Sequence, residues 1–125
     1  MAADPSQPAG RGPEAPPLLA IDIERTGDRV LVRLTGELDI ATAPSLRDVL
    51  FETLEGELIE LILDLGAMEY VDSTGLSLFV SARKRALRDG VQIAFENPTP
   101  RTRRLLELTS LDGVFDIRGS TSSGG

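Results

Sequence analysis

The sequence predicts one α/β domain: a mixed β-sheet with helices packed on it, in the order β-β-α-β-α-β-α-β. Three observations predict it. The hydrophobic period switches several times between two and about 3.6 residues. The run Leu58 to Leu65 (LIELILDL) is apolar at nearly every position, which suits a central strand covered on both faces. Gly- and Pro-bearing turn signals separate the periodic segments. A length of 125 residues gives room for a single domain of ordinary size.

Taken in order, residues 1–17 are crowded with proline and hold one large apolar residue, Met1. Such a segment cannot bury enough surface to offset its ordering entropy, so a disordered head is expected. The foldable domain then spans 18–118. Leu19, Ile21 and Ile23 alternate with Ala20, Asp22 and Glu24, which reads as a strand with one buried face. Thr26-Gly27-Asp28 is a turn, and Val30, Val32 and Leu34 form a second strand, its hairpin partner. Gly36-Glu37-Leu38-Asp39 reads as the break that ends it. Leu46, Val49, Leu50, Thr53 and Leu54 fall on one helical stripe, with Thr42 as candidate N-cap and Pro44 in the first turn.

The apolar strand 58–65 follows, then an expected loop from Gly66 to Asp72. Leu76, Phe79, Val80 and Leu87 mark a second helix, whose last turn gathers Arg83, Lys84, Arg85 and Arg88, where cations suit the helix C-terminus. Val91, Ile93 and Phe95 alternate as a fourth strand. Pro98 and Pro100 precede a short helix bearing Thr102, Leu105, Leu106 and Thr109 on one side. Phe115 and Ile117 read as a last short strand. The Ser/Gly-rich residues 119–125 are expected to be a flexible tail.

Composition narrows the function classes. The chain has no cysteine and no histidine. That removes disulfides, zinc–thiolate sites, thiol nucleophiles, imidazole bases and the Ser-His-Asp triad. Twenty acids against 13 bases give a net charge of −7, a poor balance for binding nucleic acid or anionic lipid. No run approaches the roughly 20 apolar residues of a membrane helix, and no basic, apolar leader opens the chain. A soluble cytoplasmic protein is expected, with no cofactor and no metal.

The segment that carries chemistry is Met68-Glu69-Tyr70-Val71-Asp72-Ser73-Thr74-Gly75-Leu76, which joins the most buried strand to an amphipathic helix. In α/β sheets the carboxyl edge of the strands is where ligands and modifications meet the protein. Asp72 or Ser73 falls at the helix N-cap, and Ser73 Oγ near free backbone N–H groups of the first turn. Gly75 either leaves that turn open to close approach or serves packing. Read without further information, Asp-Ser-Thr ahead of a helix is also what an ordinary cap looks like.

Four segments of the chain resemble one known family. Tyr70-Val71-Asp72-Ser73-Thr74-Gly75-Leu76 is similar to the D-S-[ST]-G-L phosphorylation motif of the STAS domain family, and more narrowly of bacterial anti-sigma factor antagonists. Arg33-Leu34-Thr35-Gly36-Glu37-Leu38-Asp39 resembles its L-x-G-E-L-D segment, and Leu61-Ile62-Leu63-Asp64-Leu65 its buried third strand. The run from Pro98 through Arg104-Leu105-Leu106 to Ser110-Leu111 resembles its late helix and following turn. The resemblance covers about residues 18–118. A terminal helix usually follows the last strand in that family, and Gly119 to Gly125 carry no helical pattern.

The resemblance implies a binding module without enzymatic activity. In such antagonists the serine after the motif aspartate, here Ser73, is phosphorylated by the partner anti-sigma factor, which is also a serine/threonine kinase. The unphosphorylated form binds that factor and frees the sigma factor; a PP2C-type phosphatase resets the cycle. Asp39, Asp72, Thr74 and Gly75 become candidate partner-binding residues by the same carry-over. Asp39 also reads as a cap of the turn before the first helix.

Other readings rank lower. A STAS scaffold or sensing subunit of a larger assembly keeps the fold and changes the role. A serine hydrolase at Ser73 lacks a histidine base and a G-x-S-x-G elbow. A receiver-like phospho-aspartate site built from Asp39, Asp64 and Asp72 lacks a well-placed lysine, since Lys84 comes late on a helix.

Overall fold

A computed structural model describes residues 18–119. The head, 1–17, and most of the expected tail, 120–125, lie outside the described residues. Five strands, β1 (Leu19–Thr26), β2 (Arg29–Leu38), β3 (Glu60–Val71), β4 (Gln92–Glu96) and β5 (Asp116–Arg118), form one sheet in the order β1-β2-β3-β4-β5. Helix α1 (Ala43–Leu54) joins β2 to β3, α2 (Ser73–Arg88) joins β3 to β4, and α3 (Pro100–Leu108) joins β4 to β5. The element order is the one the sequence predicts.

β1 and β2 pair antiparallel through a two-residue connection, Gly27-Asp28, between the paired Thr26 and Arg29. Gly27 takes φ +63°, the left-handed conformation such hairpin turns require. The remaining neighbours pair parallel.

Pairing across the parallel strands aligns Val30 with Leu61 and Ile93, and Val32 with Leu63 and Phe95. These side chains share one core with Leu46 and Leu50 of α1, Phe79 of α2 and Leu106 of α3. Phe95 is its hub. Phe79 meets it edge-on at 5.0 Å, and Phe115 stacks on it at 4.3 Å between centroids.

Three expectations about strands change. β3 does not stop at Leu65; it continues to Val71, so the expected loop 66–72 is paired backbone with only Asp72 beyond it. β2 likewise runs through Gly36-Glu37-Leu38. The cause is two register shifts, at Arg33/Thr35 and Gly36/Glu37, each with one extra residue on β3. A bulge resets the inside–outside alternation. The buried positions of β3 therefore run Leu61, Leu63, Leu65, Met68, Val71, and the period of two disappears in its second half. Gly36, at φ +113°, makes the β2 irregularity feasible: a Cβ there would overlap the Leu18 carbonyl oxygen.

The third change concerns coverage. β3 is not enclosed equally on both faces. Opposite the helices, the sheet presents Arg33 paired with Asp64 at 3.4 Å and Arg29 paired with Glu60 at 2.7 Å. Arg118 of β5 also reaches Glu60 at 2.7 Å, across β4. Hydrogen bonds to Glu60 first, then to Asp116, hold the Arg118 guanidinium above its usual pKa. Glu60 is only 4% exposed, and on this face arginine side chains lie where full apolar coverage was expected. Edge strand β1 is covered least: Leu19 and Ile21 are half-buried and Ile23 is 53% exposed.

On α2 the buried stripe is Leu76, Leu78, Phe79, Ala82 and Ala86, and Leu87 turns outward, contrary to the expected set. In α3, Thr102 and Leu106 are buried, Leu105 is half-buried and Thr109 is exposed.

Candidate functional site

β2 and β3 end together, with Leu38 opposite Val71. The chain leaves the sheet at Asp39 on one strand and Asp72 on the other. The Asp72 N–H donates to the Leu38 carbonyl at 3.2 Å, which fastens the two exits side by side. Parallel pairing thus brings together residues far apart in sequence.

Asp72 is the N-cap of α2. Its backbone is extended (φ −109°, ψ −171°), and its Oδ1 accepts from the Gly75 N–H at 3.1 Å. Ser73 is therefore the first helical residue and is exposed. The capping alternatives resolve: the carboxylate caps, and the serine hydroxyl is not needed for that task. Thr74 is half-buried beside it.

Gly75, a candidate partner-binding residue, faces inward. It is buried, and a Cβ there would come within 2.7 Å of both Leu38 Cγ and Val71 Cγ2. Glycine lets the first turn of α2 lie directly on the ends of β2 and β3. It packs the turn that carries Ser73 tightly against the strand ends.

Asp39 organises the other exit. Its Oδ1 accepts from the N–H groups of Ala41 at 2.9 Å and Thr42 at 3.1 Å. Thr42 does not cap α1 with its side chain as expected. Its hydroxyl accepts from the Asp39 N–H and donates to the Glu37 carbonyl, both at 2.9 Å. Asp39 and Thr42 thereby form a closed loop of hydrogen bonds that holds the turn beside Asp72. Asp-x-x-Thr is itself a readable turn signature, with the aspartate, not the threonine, taking the free N–H groups.

Ile40, which sequence reasoning missed, is 74% exposed at the tip of that turn. With Pro44 of α1 and Thr74 and Leu78 of α2 it lines a shallow cleft of about 360 Å³. The available signal was a lone large apolar residue between a strand and a helix, belonging to neither pattern.

Asp64 does not join Asp39 and Asp72. It lies eight residues before Asp72 along a nearly continuous strand, more than about 20 Å away. It pairs with Arg33 on the far face and accepts from the Gly66 N–H at 2.9 Å. Lys84 lies eleven residues after Ser73 on α2, about 16 Å along the axis. The constellation presents an exposed hydroxyl at a helix N-terminus, on the same edge of the sheet as Asp39 and Asp72. Among the described residues no group of acidic side chains is arranged to hold a metal ion, and no helix is long and apolar enough to cross a membrane.

The STAS domain family matches residues 20–123. The chain is 32% identical to an anti-sigma-B factor antagonist of Bacillus subtilis, over 83% of this chain and 94% of that protein. It is 34% identical to an anti-sigma-B factor antagonist of Listeria monocytogenes, over 80% and 89%. Among solved structures, an anti-sigma factor antagonist from Mycobacterium paratuberculosis is similar with a TM-score of 0.75 at 25% identity, covering 84% of this chain and 89% of that one. The antagonist SpoIIAA shares the fold at 21% identity, with TM-scores of 0.71 for its unphosphorylated form and 0.66 for its phosphorylated form.

Proposed function

The chain belongs to the STAS domain family, and from that premise we propose that it is an anti-sigma factor antagonist gated by phosphorylation of Ser73. The unphosphorylated chain binds an anti-sigma factor that is also a serine/threonine kinase, and so frees a sigma factor. Phosphorylation of Ser73 ends the binding, and a PP2C-type phosphatase restores it. The chain acts by docking in the cytoplasm and catalyses no reaction of its own. Asp39, Asp72 and Thr74 frame the contact.

One observation carries this reading: Asp72 takes the capping role, which leaves Ser73 exposed at the first position of α2. A hydroxyl so placed can enter a kinase active site without unfolding the helix.

The energetics favour a surface switch over a folding switch. Phosphorylation adds about −1.5 to −2 charges and three acceptor oxygens. At a helix N-terminus that charge gains about 0.3–1 kcal/mol from the dipole and the unbonded N–H groups. Asp39 and Asp72 oppose part of this gain, so the fold changes little in stability. Against a closely packed partner the same charge costs several kcal/mol. Each 1.4 kcal/mol is tenfold in affinity, so about a hundredfold loss is within reach.

The test is intact mass after incubation with the anti-sigma factor kinase of the same genome and ATP. One added phosphate on the wild type and none on Ser73→Ala is expected. A phosphate that persists on Ser73→Ala would overturn the assignment.

A further inference from the structure

The cleft that begins at Ile40 does not end beside Ser73. It runs between α1 and α2 into a second depression of about 290 Å³ lined by Arg47, Phe51, Ser81, Lys84, Arg85 and Arg88. Arg47 and Ser81 belong to both. The cleft is therefore apolar near Ser73 and basic about 16 Å further along α2. A chain of net charge −7 thus concentrates four of its 13 cations on one stretch of surface.

The cations differ in how they are engaged. Arg85 is held by Asp89 at 2.7 Å, and Arg88 approaches the same carboxylate at 3.9 Å. No ion pair engages Arg47 or Lys84 among the described residues, and both are exposed. Arg47 is positioned nonetheless, with its guanidinium 4.8 Å from the centre of the Phe51 ring; Arg85 lies 5.9 Å from the same ring. Helix ends alone do not account for this grouping. Lys84, Arg85 and Arg88 suit the C-terminus of α2, but Arg47 stands near the start of α1.

We infer that the α1–α2 cleft is a docking groove for an acidic segment of the kinase that modifies Ser73, with Arg47 and Lys84 as its positioning residues. This inference rests on the Ser73 reading. Charge complementarity supplies the argument. An acidic partner segment would be repelled by the chain as a whole and attracted here, so the cluster sets where and in which orientation the partner meets α2. The apolar end at Ile40 and Pro44 then takes the contact next to the serine.

Two arms test it. In the first, a fluorescein-labelled oligoglutamate about eight residues long, spanning about 26 Å when extended, is titrated at low salt and followed by anisotropy. The wild type binds, Arg47→Glu with Lys84→Glu weakens binding about tenfold, and Arg101→Glu with Arg104→Glu on α3 changes it less than about twofold. Arg47→Gln with Lys84→Gln gives an intermediate loss, and thermal melts confirm that each variant is folded. No binding by the wild type, or an equal loss in the α3 variant, overturns the inference. In the second arm the kinase phosphorylates the Arg47/Lys84 variants with a raised KM and an unchanged kcat; an unchanged KM overturns the groove while leaving Ser73 as the target. A wild type that the kinase never labels at Ser73 overturns the phosphorylation reading instead, and the peptide titration then decides the groove alone.

Discussion

The Asp72 N–H, one residue beyond the last paired position of β3, bonds at 3.2 Å the carbonyl of Leu38, the last paired position of β2. This contact fixes where α2 begins relative to the turn that carries Asp39 and Ile40. It also explains why a serine on one strand exit and an aspartate on the other share one surface. The parallel register supplies the geometry, and the local caps hold each exit in place.

Removing the α2 cap should cost stability without removing the serine. Asp72→Ala leaves the Gly75 N–H without its acceptor, and a loss of about 1 kcal/mol is expected. Asp72→Asn retains most of it. Urea unfolding of both variants checks the difference, and equal midpoints would contradict the capping role.

Gly75→Ala separates helix propensity from packing. In an exposed helix the change stabilises by about 1 kcal/mol. Here the new methyl group meets Leu38 and Val71, both in the core. Overpacking costs about 1–3 kcal/mol and wins, so net destabilisation is expected. A variant as stable as the wild type or more so would show that α2 can shift outward freely.

Asp39→Ala removes the acceptor shared by the Ala41 and Thr42 N–H groups. A cost of about 1–2 kcal/mol is expected, with faster amide exchange confined to residues 39–42. Asp39→Asn keeps an oxygen in place and should restore most of that protection. Partner affinity measured on Asp39→Asn then reads the charge alone.

On the far face, Glu60 accepts two arginines while almost fully buried. Glu60→Ala leaves Arg29 unpaired and Arg118 with Asp116 alone, but both arginines remain partly exposed and rehydrate. The expected loss is therefore about 1–3 kcal/mol, below that of a fully buried pair. Thermal or urea unfolding gives the number. Because the pair lies opposite the helices, phosphorylation of Ser73 should not change in this variant.

Much of the fold was legible because its elements obey simple periods. The β1–β2 hairpin, the stripe of α1 and the start of α3 at Pro100 follow local rules that sequence carries directly. The second half of β3 was not legible. Two bulges shift its buried positions from Leu65 to Met68 to Val71, a spacing that resembles neither strand nor loop. Leu87 was misplaced because an apolar residue in the last turn of a helix can face solvent at little cost. At the site, position alone put Asp72 or Ser73 at the cap of α2, and only the family resemblance singled out Ser73. Their nearness to Asp39 depends on parallel pairing, and the exposure of Ile40 depends on the Asp39–Thr42 bonds; neither is a local property.

The most direct test compares the affinity of the unphosphorylated and Ser73-phosphorylated chain for the anti-sigma factor kinase by calorimetry, with melting curves of both forms alongside. A loss of about a hundredfold or more, with melting temperatures nearly equal, is the predicted result. Equal affinities for the two forms would contradict Ser73 as the gate.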